Sequence, residues 1–188
     1  MMDIALFHGE LVRLAAPDPD NESDMEHQAR WWRDSEFQRL LDTDPAMLHT
    51  AKNMKKELEE ELVTEGGFFF FIRRLSDDQL LGFVGLHSNV FTHGNMWVGI
   101  GIGDRENWGK GYGTDAMRVL LRYAFTELNL HRVTLIVFEQ NKRAIRSYEK
   151  AGFVTEGVTR KEYVREGRRW DVVHMGVLRE DWLKQNQE

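Results

Sequence analysis

The chain has 188 residues, no cysteine and a formal net charge of −6 at pH 7. This length suits a single domain that needs no disulfide or metal to be stable. The absence of cysteine excludes a disulfide scaffold, a thiolate zinc site and a cysteine nucleophile. The negative charge disfavours a sequence-independent nucleic-acid binder, in which Lys and Arg are usually in excess.

Two further features bear on location. The first ten residues carry two acids and no Lys or Arg, so they lack the basic start of a signal peptide. The longest apolar run, Phe68–Ile72, is far too short to span a bilayer. We therefore expect a cytoplasmic protein without a nucleic-acid or membrane partner.

The first third of the chain predicts a strand and two helices. Leu11–Ala15 is expected as a short strand, ended by the proline-rich stretch that follows it. Asp24–Arg33 is the first predicted helix. The second is Pro45–Val63, with Asp44 as its N-cap and the proline as its first residue. Its apolar residues recur at helical spacing: Met47, Leu48, Ala51, Met54, Leu58 and Leu62.

The rest of the chain mixes strands with helices. The predicted strands are Gly67–Arg73, Leu80–Leu86, Met96–Ile102, Val133–Phe138, Phe153–Val158 and Trp170–Leu178. The helices between them are Thr114–Leu128 and Lys142–Lys150. This order predicts one α/β or α+β domain with a largely antiparallel sheet.

The most informative segment is the turn between the third of these strands and the helix after it. Gly109, Gly111 and Gly113 alternate there, so the backbone can turn sharply and approach a ligand closely. N–H groups at a helix N-terminus form a ready site for a pyrophosphate. A P-loop is excluded because a glycine follows Lys110 where a hydroxyl residue is required, and the dinucleotide fingerprint fails because Thr114 occupies its last glycine position.

A second motif follows the glycine turn about thirty residues later. Asn141 is followed seven residues on by Tyr148, and then by the pair Gly152 and Phe153. Together with the glycine turn, in the window Trp108–Gly113, this segment resembles the GNAT superfamily of N-acetyltransferases. The order, the spacing and the strand-helix context all match, and the resemblance covers the chain from about residue 68 to residue 178.

The resemblance implies a fold, a cofactor and a reaction. The expected fold is a mixed, mostly antiparallel sheet of about six to seven strands, flanked by about four helices and splayed at the cofactor site. Residues 67–188 would form the acetyl-CoA-binding core, and residues 1–66 the substrate side of the same domain. The expected activity is transfer of acetyl from acetyl-CoA to a primary amine, by direct attack in a ternary complex and without a metal.

The family pattern also implies which residues bind the cofactor. They are Ile102, Gly103, Trp108, Gly109, Lys110, Gly111, Tyr112, Gly113, Thr114 and Asn141. A distortion of the strand, which Gly101 and Gly103 permit, would splay the sheet. One residue departs from the pattern: the family has Gln or Arg where this chain has Trp108, whose indole we expect to pack the turn against the sheet.

The chemistry requires a proton donor for the departing thiolate and an acceptor for the proton of the amine. Tyr148 is the candidate donor, by resemblance and because a phenol is a competent acid for a thiolate. The alternative is that it is only a core aromatic. The acceptor stays open between His87, Asp104, Glu139 and water, since each of these residues follows or ends a predicted strand.

The acceptor amine also stays open. The segment 128–178 is similar to both ribosomal-protein N-terminal acetyltransferases and spermidine acetyltransferases. A polyamine enzyme would need acids facing the pocket, and the candidates are Glu57, Glu59, Glu60 and Glu61, which otherwise form a solvated helix face. Two rival classes are a CoA-binding sensor that has lost activity and an interaction protein that does not bind CoA.

The resemblance also allows a homodimer, since relatives are often dimers. Four tryptophans could serve an interface or the core: Trp31, Trp32, Trp97 and Trp170.

Overall fold

The computed structural model describes residues 4–87 and 93–186. Seven strands form one sheet in the order β1-β2-β3-β4-β5-β7-β6, and every neighbouring pair is antiparallel except β4 with β5. The strands are β1 Val12–Ala15, β2 Phe68–Arg74, β3 Leu80–His87, β4 Asn95–Ile102, β5 Arg132–Phe138, β6 Val154–Arg165 and β7 Arg168–Leu178. The predicted mixed and mostly antiparallel sheet is therefore confirmed.

The described residues contain six α-helices, against the four or so expected. They are α1 Glu22–Trp31, α2 Ser35–Leu41, α3 Ala51–Leu62, α4 Tyr112–Thr126, α5 Lys142–Lys150 and α6 Arg179–Gln185. The additional helices, α2 and α6, have seven residues each. Helices that short show little apolar periodicity, which is why the sequence pattern missed them.

The predicted helix Pro45–Val63 is wrong in its first six residues. The helix starts at Ala51, because Thr50 and Asn53 form a capping box in which each side chain accepts a hydrogen bond from the other's backbone N–H. Upstream, the N–H of Met47 donates to the Gln38 side chain at 2.7 Å. Met47 and Leu48 are exposed rather than part of the helix's buried stripe.

The two largest of the three hydrophobic clusters among the described residues lie on opposite faces of the sheet. On one face, α4 buries Met117, Leu120 and Leu121 against strand residues such as Val84 and Val133. On the other face, α1, α2 and α3 enclose a smaller core of aromatic and aliphatic side chains. Its buried members are Met25, Ala29, Trp31, Phe37, Met54, Leu58, Phe71 and Leu80. Trp31 is therefore a core residue, and its side chain is too buried to contribute to an interface.

Glycines on the second face leave room for rings to approach the backbone of the sheet closely. A Cβ at Gly103 would stand 2.0 Å from the Trp31 ring, and one at Gly101 would stand 2.9 Å from the ring of Phe83. At Gly99 the nearest atom would be Cε1 of His87, at 3.5 Å. The glycines of β4 and the residue after it are therefore packing positions for side chains from neighbouring elements.

The sheet splays between β4 and β5, although not by the predicted distortion. The β3–β4 register is unbroken from Gly82↔Ile102 to His87↔Trp97, so β4 has no bulge at its glycines. Instead, the parallel β4–β5 pairing ends at Trp97↔Thr134. Beyond this pair, β4 and β5 are no longer hydrogen-bonded and an opening separates them.

The packing predicts a large difference between two alanine substitutions. Gly103→Ala should lower the free energy of unfolding by roughly 1–3 kcal/mol or more, because the new methyl group overlaps the Trp31 ring. Gly157→Ala is the matched control, since a Cβ there has no neighbour within 4 Å. Urea denaturation of both variants measures the effect, and equal stability of the two would contradict the packing account.

Candidate active site

A cavity of about 1030 Å³ occupies the opening between β4 and β5. One end reaches the glycine turn before α4, and the other reaches the sheet face covered by α1, α2 and α3. Of the predicted cofactor-binding residues, most line it: Ile102, Trp108, Gly109, Gly111, Tyr112, Gly113, Thr114 and Asn141. Gly103 and Lys110 are not among its lining residues.

The glycine turn has the backbone conformation that the alternating glycines suggest. Gly109 and Gly111 have φ of +74° and +91°, in the left-handed region where other residues are strained. Gly111 is also the N-cap of α4, so the N–H groups of Tyr112, Gly113 and Thr114 belong to the first turn of the helix. These N–H groups have no intrahelical acceptor and form a site for an anion at the positive end of the helix.

Four basic side chains line the cavity, although the chain as a whole is acidic. Arg118 comes from α4, and Arg143, Arg146 and Lys150 come from α5. Burial lowers the pKa of the Arg143 guanidinium from its ordinary value, but a guanidinium stays charged at neutral pH. Sequence analysis missed these residues because only the fold brings the two helices together around the glycine turn.

A buried carboxylate fixes the segment that precedes β1 against this turn. Asp115, in the first turn of α4, accepts hydrogen bonds from the N–H groups of Glu10, Leu11 and Val12 at 3.1, 2.8 and 3.0 Å. With three donors, its charge is compensated within the chain. Asp115 therefore anchors the segment before β1 to the first turn of α4.

Asn107 provides a second feature that sequence analysis missed. Its side chain is buried and lines the cavity, and its Nδ2 has no hydrogen-bond partner among the described residues. A buried amide without a partner costs free energy, so this group requires a water or a ligand as its acceptor. It precedes Trp108 in the turn and is well placed to donate to a polar cofactor.

Trp108 packs the turn against the sheet, as expected for an indole at this position. Its Nε1–H donates to the carbonyl oxygen of Ile102 at 2.6 Å. The Arg143 guanidinium lies 3.8 Å from the centre of its ring, which connects the turn to α5. Nearby, the N–H of Gly103 donates to Leu81 at 2.9 Å, so this group is committed to β3.

The alternation of an antiparallel ladder decides which peptide groups of β4 face the opening. In an antiparallel ladder, the N–H and C=O groups of alternate residues point to opposite sides of the strand. Gly103 bonds to β3, so the odd-numbered residues of β4 direct these groups to β3. The even-numbered residues direct theirs to β5. Pairing with β5 ends at Trp97↔Thr134. Within the described strands, the N–H groups of Ile100 and Ile102 therefore have no strand partner and face the cavity.

Asn141 and Tyr148 hold the opposite side of the opening through α5. Asn141 is the N-cap of the helix, and its Oδ1 accepts from the N–H of Ala144 at 3.1 Å. Tyr148 lies two turns further along, packs near Phe153 and lines the cavity. Burial raises the pKa of its phenol to about 12, so the hydroxyl keeps its proton throughout the physiological range.

The three candidate proton acceptors have different surroundings. Asp104 accepts two hydrogen bonds from Arg30, at 3.0 and 2.8 Å, and Glu139 accepts one from the N–H of Asp171 at 3.1 Å. Neither is among the residues that line the cavity. His87 lines it, and its ring lies over Gly99 on the face covered by the first three helices.

The acids of α3 are mostly occupied by neighbours. Glu57 accepts from His49 at 3.0 Å, and Glu59 and Glu60 lie 3.8 and 3.4 Å from Lys55 and Lys56. Glu61 differs from these three because it is half-buried and lines the cavity.

A family profile described as an acetyltransferase (GNAT) domain matches residues 13–154. The chain belongs to the GNAT acetyltransferase family. It is therefore an acetyl-CoA-dependent N-acetyltransferase by family. Among the described residues, no helix is long and apolar enough to cross a bilayer, and no cluster of three His, Cys, Asp or Glu side chains is placed to hold a metal.

Individual relatives agree with this assignment. The chain is 34% identical over 137 residues to a probable N-acetyltransferase, YjcK, of Bacillus subtilis, covering 71% of this chain and 75% of the relative. It is 33% identical over 117 residues to the spermidine N(1)-acetyltransferase of Vibrio cholerae, covering 62% and 67%. A crystal structure of spermidine N-acetyltransferase from Vibrio cholerae with CoA and spermine has a TM-score of 0.79 at 24% identity, covering 92% of this chain and 98% of that one, which shows the shared fold.

Proposed function

We propose that this GNAT enzyme binds acetyl-CoA in the opening between β4 and β5 and acetylates a primary amine that arrives from the side of α1, α2 and α3. The observation that carries the proposal is the pair of unpartnered N–H groups, of Ile100 and Ile102, which lead to the phosphate-binding turn. An extended cofactor arm with amide groups can bond to this edge as an added strand would.

The phosphate groups would be held at the other end of the cavity. The N–H groups at the start of α4 and the four basic side chains of α4 and α5 supply the positive charge. The side-chain amide of Asn107 supplies a donor that has no partner within the described chain. These groups fit the phosphates of a large, polyanionic cofactor. The neutral N–H groups of β4 fit its long, uncharged arm.

Acetyl-CoA supplies the acetyl group as a thioester, so that a C–N bond forms and a C–S bond breaks while one proton passes from nitrogen to sulfur. The N–H groups of Ile100 and Ile102 are the donors available to polarise the carbonyl oxygen. The binding of two reactants in one cavity provides the proximity on which direct attack depends.

Tyr148 would donate a hydrogen bond to the sulfur as negative charge develops there. Its phenol, with a pKa of about 12, stays protonated and so is always a donor. Complete transfer of the proton to a thiolate of ordinary pKa, about 8.5, would be uphill by about 5 kcal/mol. Tyr148 therefore stabilises the thiolate best as a hydrogen-bond donor, and the proton that sulfur finally keeps is the one that the amine loses.

His87 would accept the proton of the incoming amine. It lies on the acceptor face of the sheet, whereas Asp104 and Glu139 have other partners and lie outside the cavity. A primary ammonium has an ordinary pKa of about 10.4, so most of the amine must lose a proton before it can attack at neutral pH.

Removal of the Tyr148 hydroxyl tests the donor role. Tyr148→Phe should lower kcat by about tenfold or more, because the thiolate loses its donor, while the Kd of acetyl-CoA changes by no more than about twofold. Thiol release from acetyl-CoA with an excess of amine measures kcat, and calorimetry measures Kd. Because the pKa is raised, ionisation of Tyr148 should cause no loss of wild-type activity between pH 7 and about 10. Unchanged kcat in the variant would contradict the role.

A second substitution tests the acceptor. His87→Gln should lower kcat/KM for the amine about tenfold or more, because the imidazole that takes the proton is lost. His174→Gln is the control, since His174 lies on β7 and bonds to Thr159 outside the cavity. If both variants keep wild-type kcat/KM, water rather than His87 takes the proton.

A further inference from the structure

The acceptor side of the cavity is strongly aromatic. Five rings line it: Trp32, Phe37, Phe69, Phe83 and Trp97. Phe69 lies against Gly85, Phe83 lies against Gly101, and the two rings are nearly parallel with centroids 5.7 Å apart, so they form one continuous apolar surface. Such a surface stabilises a flat apolar group by excluding water from both sides of the contact.

Part of this apolar surface is open to solvent in the structure. Trp97 on β4 and Ile136 on β5 are each 44% exposed, and both line the cavity where the two strands separate. Large apolar side chains that stay exposed beside a catalytic opening are typical of a surface that a ligand covers.

Glu61 places a single negative charge at one end of this surface. Its Oε1 lies 3.9 Å from the position that a Cβ on Gly67 would take, and the carbonyl oxygen of Leu86 lies 3.8 Å from the same position. Continued by one residue, the β2–β3 register sets Gly67 beside His87. The Glu61 carboxylate therefore lies beside Gly67, the residue that neighbours the proposed proton acceptor across one strand spacing of roughly 5 Å.

Glu10 and Asp115 line the cavity at its glycine-turn end, and the acids nearer the aromatic rings give little support for a second or third ammonium group. Glu57, Glu59 and Glu60 are bonded to cations or to His49 and do not line the cavity. Asp42 lines the rim, but its Oδ1 accepts from the N–H groups of Thr43 and Asp44 at 2.5 and 3.3 Å. An ammonium that enters the aromatic part without a carboxylate loses its hydration without full compensation.

We infer that the acceptor is a monoamine with a flat apolar body, which the aromatic rings enclose while Glu61 binds the ammonium beside His87. This inference rests on the proposed function and names the substrate class of the same site. The ring faces can attract a cation weakly, so they assist one ammonium group. They do not replace the several carboxylates that a linear polyamine requires. The same chemistry occurs in free arylalkylamines and in peptides whose first residue is aromatic.

The experiment compares kcat/KM across three groups of amines: 2-phenylethylamine and tryptamine, short peptides that start with Phe or Trp, and the polyamines putrescine, spermidine and spermine. We expect at least one of the first two groups to exceed every polyamine about tenfold or more. The group that is preferred distinguishes a free amine from a peptide N-terminus. A preference for spermidine or spermine would overturn the inference while leaving the proposed function intact.

A matched pair of variants tests the role of Glu61. Glu61→Gln should raise KM for the preferred monoamine about tenfold and leave KM for acetyl-CoA within about twofold. Glu60→Gln should change neither, since Glu60 is exposed on the outer side of the same helix. Equal KM for the amine in both variants would overturn the assignment of Glu61.

Calorimetry with acetyl-CoA distinguishes failure of the inference about the acceptor from failure of the proposed function. If acetyl-CoA binds and no monoamine is acetylated, the inference about the acceptor fails. If acetyl-CoA does not bind the folded wild-type protein, both the proposed function and the inference about the acceptor fail.

Discussion

The structure depends on one interruption of hydrogen bonding. β4 and β5 pair only as far as Trp97↔Thr134, and beyond that point the N–H groups of Ile100 and Ile102 have no partner among the strands that the structure describes. Unpaired backbone groups inside a protein cost free energy, so a sheet would normally close over them. Here the gap is kept open by groups at its far end. The Trp108 indole bonds to Ile102 and stacks under Arg143, and Asn141 caps the helix that carries Tyr148. In the proposed complex, the cost of the interruption would be recovered when acetyl-CoA pairs with the exposed edge.

The same strand serves different purposes on its two faces. Val98, Ile100 and Ile102 pack toward α4 as ordinary core residues. On the other face, the alternating glycines admit rings from other elements, with Trp31 over Gly103 and His87 over Gly99. Because a glycine has no side chain, these rings can lie close to the backbone where the cofactor and the amine would meet. The strand thus combines structural packing with the acceptor surface.

Some of this could be predicted from the sequence and some could not. The glycine turn was predictable because Gly109 and Gly111 alternate directly before a strong amphipathic helix, and both adopt the left-handed backbone conformation. The spacing from Asn141 to Tyr148 placed both on one short helix, as found. The start of α3 was mispredicted because Asp44 and Pro45 form a good helix start in isolation. In the fold, however, Gln38 and Arg165 hold the loop after α2 in an extended path by binding its backbone.

Features made by tertiary contacts had no local signal. The unpartnered amide of Asn107 and the basic side chains facing the phosphate-binding turn become visible only when the loop, α4 and α5 are brought together. The distinction between Glu61 and its three acidic neighbours likewise depends on the direction in which α3 presents each side chain. A helical pattern alone could have singled out any of the four.

The most direct test of the account is residue-resolved amide hydrogen exchange along β4, measured by NMR with and without acetyl-CoA. The account predicts that the amides of Ile100 and Ile102 exchange rapidly in the free protein and are protected about tenfold or more by acetyl-CoA. The amides of Gly99 and Gly101, which bond to β3, should be protected in both states. Exchange at Ile100 and Ile102 that acetyl-CoA leaves unchanged, at concentrations that saturate the protein, would contradict binding of the cofactor at the open edge of the sheet.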